Sequence, residues 1–334
     1  MQKKWLLFLA VVLILLYPYL LHSTYFRTIG IFIGIRAIVV IGLCLLMGYA
    51  GQASLGQAAF FALGAYTSGI LTAVYGFSPW LAMPAGISLA SLIAMIVGWP
   101  ALKLRGHFLA LATLSFGLIV YFLLKQWSSL TGGPSGLTGI PALYLADLRL
   151  RTAEYYYLVW ITVAIVAWLS HNIVHSRIGR SLRAIHDSEI AAECLGVDTF
   201  RLKLQLFVLS AAFAALAGSL YAHFIRFFSP AAFGFKVSIE FAIMAALGGM
   251  ASIYGGVLGV ATVTLLIEVL RAVVPLVLPA AHAVAAIETT TFGLILVVVF
   301  IFLPDGLSGG IQELRNRLNA RRANVVRQAR EAKN

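Results

Sequence analysis

The chain has 334 residues, of which 61% are hydrophobic and 11% charged, against roughly 45–50% and 25% in soluble domains. Several apolar runs exceed the ~18 residues that a bilayer span requires and do not alternate, which excludes a soluble domain and an outer-membrane β-barrel. The net charge of +12 is scattered between those runs and forms no single patch, which is the pattern of membrane orientation signals and not of a nucleic-acid surface.

The reading is an all-α polytopic membrane protein with about ten transmembrane helices (8–10). Lys3 and Lys4 precede WLLFLAVVLILLYPYLL without a small-x-small cleavage site, so this stretch is expected to remain as a first span with its basic end inside. The expected spans are 5–21, 30–48, 58–75, 80–101, 106–124, 156–175, 205–224, 237–250, 252–272 and 285–303. With both termini cytoplasmic, the inside segments carry Lys3, Lys4, Lys103, Arg105, five bases between 176 and 205, and the basic tail. The outside segments carry fewer: Arg27, Lys125, Arg149, Arg151, Arg226, Lys236 and Arg271. That asymmetry supports the orientation. Residues 1–310 then form the transmembrane domain and 311–334 a basic, partly amphipathic cytoplasmic tail, solvated or touching anionic lipid.

Arg36 is the one base expected deep in a span. It either sits near the outer interface and snorkels, or places a guanidinium near a solute carboxylate. Over residues 42–66, Gly48, Gly51 and Gly56 with Gln52, Ser54 and Gln57 interrupt an apolar stretch. Glycines there either pack helices closely, as Gly64 and Ser68 can, or unwind a turn whose amides meet a polar solute. Lys103 and Arg105 read as inside anchors. Thr113 and Ser115 can bond their own backbone and are candidate pathway lining.

Residues 126–155 make the longest outer segment. Thr131 to Pro141 is too rich in glycine and proline for a helix interior, and contact with an external protein, a cap over the pathway and plain turn chemistry all remain open. His171 and His175 are four apart on one helical face, but no third ligand is near, so no metal is expected. Cys44 and Cys194 support neither a disulfide framework nor a thiolate metal site.

Residues 176–205 form the longest polar interruption, a loop with Arg177, Arg180, Arg183, Arg201 and Lys203 around a short central helix from Asp187 to Leu195. Asp187 and Glu189 suit a helix N-terminus, and Gly196 suits its left-handed stop. Ile190, Ala191, Cys194 and Leu195 share one face, too short to make a core alone, so the helix should dock into something. Further on, Gly248 and Gly249 precede a turn, and Gly255 and Gly259 form a close-packing pair. This second glycine-broken region echoes 48–56 as a weak internal repeat. Glu240, Glu268 and Glu288 are expected in outer span halves, with Glu268 and Arg271 at pairing distance in sequence. A proton relay is the alternative for these acids.

No HExxH, GxSxG or Walker A motif occurs in the chain, which argues against an intramembrane enzyme or a chain with its own ATPase. An ion-coupled secondary transporter is the alternative class, and it leaves the 176–205 loop unexplained.

Several blocks carry a family resemblance. Glu189-Ile190-Ala191-Ala192-Glu193-Cys194-Leu195-Gly196 resembles EAA-x3-G, the cytoplasmic coupling signature of ABC importer permeases. Residues 42–66 resemble GYAGQ-x-SLG-x-AAF-x-x-GAY, and residues 102–117 resemble LR-G-x-x-(F/Y)-A-x-x-T-L-x-F. Residues 131–141 resemble LTGG-x-x-GL-x-GIP, and 248–259 resemble GG-x-G-x-x-x-GP-x-x-G. Pro304-Asp305-Gly306-Leu307 resembles the closing P-x-GL. On these blocks, from about 42 to 307, the chain resembles the permease subunits of branched-chain amino acid ABC importers (LivM type).

The resemblance implies an ABC importer permease architecture whose coupling helix docks into a cleft on an ATPase subunit through Asp187, Glu189, Ile190, Ala191, Ala192, Glu193 and Gly196. It makes Gly48, Tyr49, Gly51, Gln52, Ser54, Gly56, Gln57, Thr113, Gly248 and Gly249 candidates for the pathway or substrate contact. It implies a second related permease in a heterodimer, two ABC ATPase subunits carrying ATP and Mg, and an external substrate-binding protein. No cofactor falls to this chain, and the location implied is the bacterial inner membrane. Three positions depart from the pattern: Cys44 stands for an asparagine, Gln57 for a histidine and Gly256 for a proline. Solute preference is therefore open, and similar permeases serve urea, amides and other amino acids.

Overall fold

A computed structural model gives the fold and describes residues 23–277 except 105, 146 and 147, together with 290, 293 and 294. The apolar runs become helices because a segment in lipid must satisfy its backbone internally. They are α1 (Thr24–Cys44), continued by a π-helical turn (Leu45–Tyr49), α2 (Gln57–Ala73), α3 (Pro79–Ala101) and α4 (His107–Gln126). A short α5 (Ser128–Thr131) and a two-stranded hairpin, β1 (Tyr144–Leu145) with β2 (Leu148–Arg149), follow. Then come α6 (Thr152–His175), α7 (Arg177–Asp187), α8 (Glu189–Cys194), α9 (Thr199–Ile225), α10 (Phe235–Gly248) and α11 (Ile253–Val277).

Among the described residues, seven helices are long and apolar enough to cross a membrane. Helix α2, with 17 residues, falls short of that length. Each expected span between 30 and 272 has its helix. The spans 5–21 and 285–303, Pro304 to Leu307, Glu288 and the tail 311–334 lie outside the described residues.

The 176–205 segment differs from the expected loop. It folds as two helices, and α9 already begins at Thr199. Charge density does not prevent α7, because Gly179, Leu182 and Ile185 recur at helical spacing on its buried face while Arg177, Arg180 and Arg183 point outward. The Ser176 hydroxyl caps it, accepting from the Ile178 and Gly179 N–H groups.

Helix α1 is the core of the bundle, touching α6, α9, α10 and α11. Helix α9 packs on α2 and α3 through small residues: a Cβ on Gly64 would overlap the Ala215 backbone, and one on Gly218 the Phe61 carbonyl. The Gly255–Gly259 pair does pack closely, Gly255 on Gly248 and Gly259 on Met244. At the far end of α2, residues 131–143 fold inward as a cap. Leu137 pairs with the Phe228 backbone, while Leu137, Ile140 and Leu143 are buried. His223 joins this cap to the bundle, bonded to Ser68 Oγ at 2.8 Å and to the Pro141 carbonyl at 2.9 Å.

Candidate functional site

Between the π-turn and α2 the backbone leaves helical geometry for residues 51–56. Gly51 takes φ of 65°, a conformation that L side chains avoid. Chain partners fix how deep this break lies. Gln57 Nε2 donates to Ser210 Oγ at 3.0 Å, and Ser210 packs on Gly42. The Leu55 N–H donates to Thr113 Oγ1 at 3.0 Å, and the Ala58 N–H to Ser238 Oγ at 3.0 Å. Ser210 lies ~16 Å along α9 from Thr199 at 1.5 Å per residue, so α2 starts inside the bundle and not at its edge. Helix α10 starts beside it and runs the opposite way, toward Met250. Two short helices thus begin back to back within the apolar layer.

Irregular backbone at that depth is tolerated only where protein buries it or where it lines a polar path. Both apply. Gln52, Ser54 and Gln57 are 3%, 1% and 1% exposed. Neither amide atom of Gln52, nor Ser54 Oγ, nor Gln57 Oε1 has a hydrogen-bond partner. Each such group costs about 1–3 kcal/mol when buried unpaired. Tyr49 closes the near end, its hydroxyl donating to the Ala251 carbonyl at 2.7 Å, and Gly48 lies under Met250 with no room for a Cβ. Gly249 turns the chain there with φ of 100°. The predicted residues fall at two levels of this break: Gly48 and Tyr49 meet the Met250–Ala251 turn that follows Gly248 and Gly249, while Gly56 meets Thr113 deeper in the bundle. Gly48, Gly56 and Gly248 serve close packing, and Thr113 holds the loop. The sequence reading missed Ser210, Ser238 and His186; for the two serines the available signal was a small polar residue within an apolar helix.

His186, in the last turn of α7, lies against Gly51, so the break is in contact with the polar helices below it. Asp187 does not open α8, as its charge had implied; it closes α7, and extended Ser188 separates the two helices. The Ser188 hydroxyl accepts the Ala191 N–H, which makes Ser188 the cap. Gly196 ends α8 at φ of 81°, with Gly196 N–H to Glu193 and Val197 N–H to Ala192 in a Schellman pattern. Glu193 accepts from Thr199 Oγ1 at 2.7 Å, and Glu189 pairs with Lys203, tying the helix to α9. Ala192 is buried, but Ile190 and Leu195 are 65% and 81% exposed, with Ala191 and Cys194 also outward.

The remaining candidates sort plainly. The rings of His171 and His175 lie 4.0 Å apart and His175 Nδ1 bonds the His171 carbonyl at 2.8 Å. Among the described residues no group of three metal-ligating side chains occurs. Glu268 is bonded by the Tyr25 hydroxyl at 2.6 Å and by Arg271 Nη1 at 3.4 Å, the expected i, i+3 pair.

Membrane-length helices around a buried polar break make this a multi-pass membrane protein with the build of a solute permease. The family model for the permease component of branched-chain amino acid transport systems matches residues 25–304, and the chain belongs to that family. The high-affinity branched-chain amino acid transport permease protein LivM of Escherichia coli is 33% identical over 261 residues, 71% of this chain and 61% of the relative. The corresponding LivH protein of Salmonella typhimurium is 26% identical over 292 residues, 82% of this chain and 91% of the relative. The probable LivM of Methanocaldococcus jannaschii is 24% identical over 230 residues, 66% of each chain. The chain thus spans 61% of the length of the Escherichia coli LivM protein. No solved structure matches it.

Proposed function

We propose that this chain is a membrane-spanning subunit of an ATP-driven importer of branched-chain amino acids, with α8 as the helix through which separate ATPase subunits act. The observation that carries this reading is the outward apolar face of α8. A helix of six residues is marginal by itself, yet caps, an ion pair and a buried alanine hold it rigid while Ile190 and Leu195 are left to water. That arrangement suits a knob entering a cleft on a partner. Movement at α8 passes to α7, which packs on the π-turn and touches Gly51 through His186. ATP and Mg belong to the ATPases, and a second, related permease completes the pathway. An external binding protein delivers the solute on the side of the 131–143 cap, with α7 and α8 in the cytoplasm of the inner membrane.

The test is to purify the tagged chain from its native membrane in mild detergent and identify its companions by mass spectrometry. Two P-loop ATPases and a related permease are expected. Recovery of the chain alone, or with only copies of itself, in several detergents overturns the reading. Titrating the co-encoded binding protein with leucine, urea and amides then fixes the solute.

A further inference from the structure

From Ile29 to Leu46 every residue of α1 and its π-turn is buried except Phe32 and Arg36, which lie one turn apart on one line. Arg36 stands in the middle of a 26-residue apolar segment, about 18–20 Å from either end at 1.5 Å per residue. It is too deep for snorkelling to keep it in the headgroup layer. Its Nη1 donates to Thr264 Oγ1 at 3.4 Å. Helix α11 carries the register across to α10. Gly256 packs on Val40 and Cys44 of α1, and Gly259 and Gly255 pack on Met244 and Gly248 of α10. One turn further along these antiparallel pairs, Arg36 meets Thr264 and Glu240 comes level with Val263.

Base and acid thus stand at one depth, on neighbouring helices, against the same turn of α11. No ion pair or hydrogen bond joins the two, and Glu240 makes neither with any other described residue, Lys236 one turn away included. Opposite charges left apart at mid-depth are costly. A solute that supplies both counter-charges removes that cost. Beside Arg36, Phe32 packs against Tyr221 and, edge to face, Phe224 at ring separations of 6.3 and 5.7 Å, an apolar wall that is only partly buried.

We propose that Arg36 and Glu240 form a mid-membrane seat for a zwitterionic α-amino acid, its carboxylate on Arg36, its ammonium on Glu240 and its apolar side chain against Phe32, Tyr221 and Phe224. The proposal rests on the amino-acid importer reading and adds a place for the solute outside the 48–57 break.

The experiment uses the complex that co-purifies with this chain, reconstituted in vesicles with its binding protein, and follows labelled leucine uptake and ATP hydrolysis together. Arg36→Gln and Glu240→Gln are each expected to lower leucine uptake about tenfold or more, with ATP hydrolysis within about twofold of wild type. The charge-preserving Arg36→Lys and Glu240→Asp guard against a folding defect and are expected to raise the KM for uptake several-fold (about 3–10-fold) with Vmax retained. Saturation-transfer NMR on the complex without binding protein should detect leucine and give weaker signals for leucinamide and 4-methyl-2-oxopentanoate, which lack one charge each. Unchanged uptake in Arg36→Gln and Glu240→Gln, or equal NMR signals from all three compounds, overturns the seat. If wild-type vesicles take up no leucine at all, the importer reading itself falls.

Discussion

The break at 51–56 and helix α8 are both short, polar-flanked interruptions of an apolar chain, yet they are held in opposite ways. Helix α8 is secured almost entirely by neighbours in sequence: Ser188, Gly196, Thr199 and Lys203. Its apolar residues face out. The break is secured from three distant helices by Thr113, Ser210 and Ser238, and its polar groups face in, several without partners. A locally held element keeps its shape while it is pushed, which suits a lever. An element held by its surroundings changes when those helices shift, which suits a gate. The contact of His186 with Gly51 joins one to the other.

The largest effect should come from breaking the gate's packing. Gly48→Val places a branched side chain into the Met250 carbonyl, a misfit of about 3 kcal/mol or more. Loss of uptake together with lower thermal stability in detergent is the expected result. Next comes the lever. Gly196→Val forces a β-branched residue into a left-handed conformation at about 1–2 kcal/mol, and Glu193→Lys removes the acceptor for Thr199. Both variants should reach the membrane in normal amounts, with uptake and coupled ATP hydrolysis falling together. Wild-type uptake in both would leave α8 without a coupling role. The smallest effect on uptake is expected for Thr113→Val, which leaves the Leu55 N–H unpaired. Uptake should fall several-fold (about 3–10-fold) while the ATPases remain bound, a split that separates gate from lever.

The same contrast explains what was readable in the sequence. Apolar runs located the described spans, because lipid demands continuous internal hydrogen bonding. The Gly196 stop was legible because the left-handed cap is a local rule. Asp187 was misplaced because a carboxylate favours any helix N-terminus, while only the extended Ser188 marks where α7 ends. Ser210 and Ser238 carried no sequence signal beyond being serines in apolar helices. Their partners lie far along the chain, so the depth of the break could not be read from either segment alone. Arg36 was expected near the outer interface as one alternative; α1 begins at Thr24, which carries that residue to mid-membrane.

The central claim, that α8 enters a cleft on an ATPase, is tested most directly at Cys194, which is exposed on the outward face while Cys44 is buried. The measurement is the rate of Cys194 alkylation by a bulky maleimide in native membranes and in the isolated chain, with a bifunctional thiol reagent added to identify any neighbour. The account predicts strong protection in the assembled complex and a cross-link to a P-loop ATPase. Equal labelling rates in both, with no ATPase captured, would contradict it.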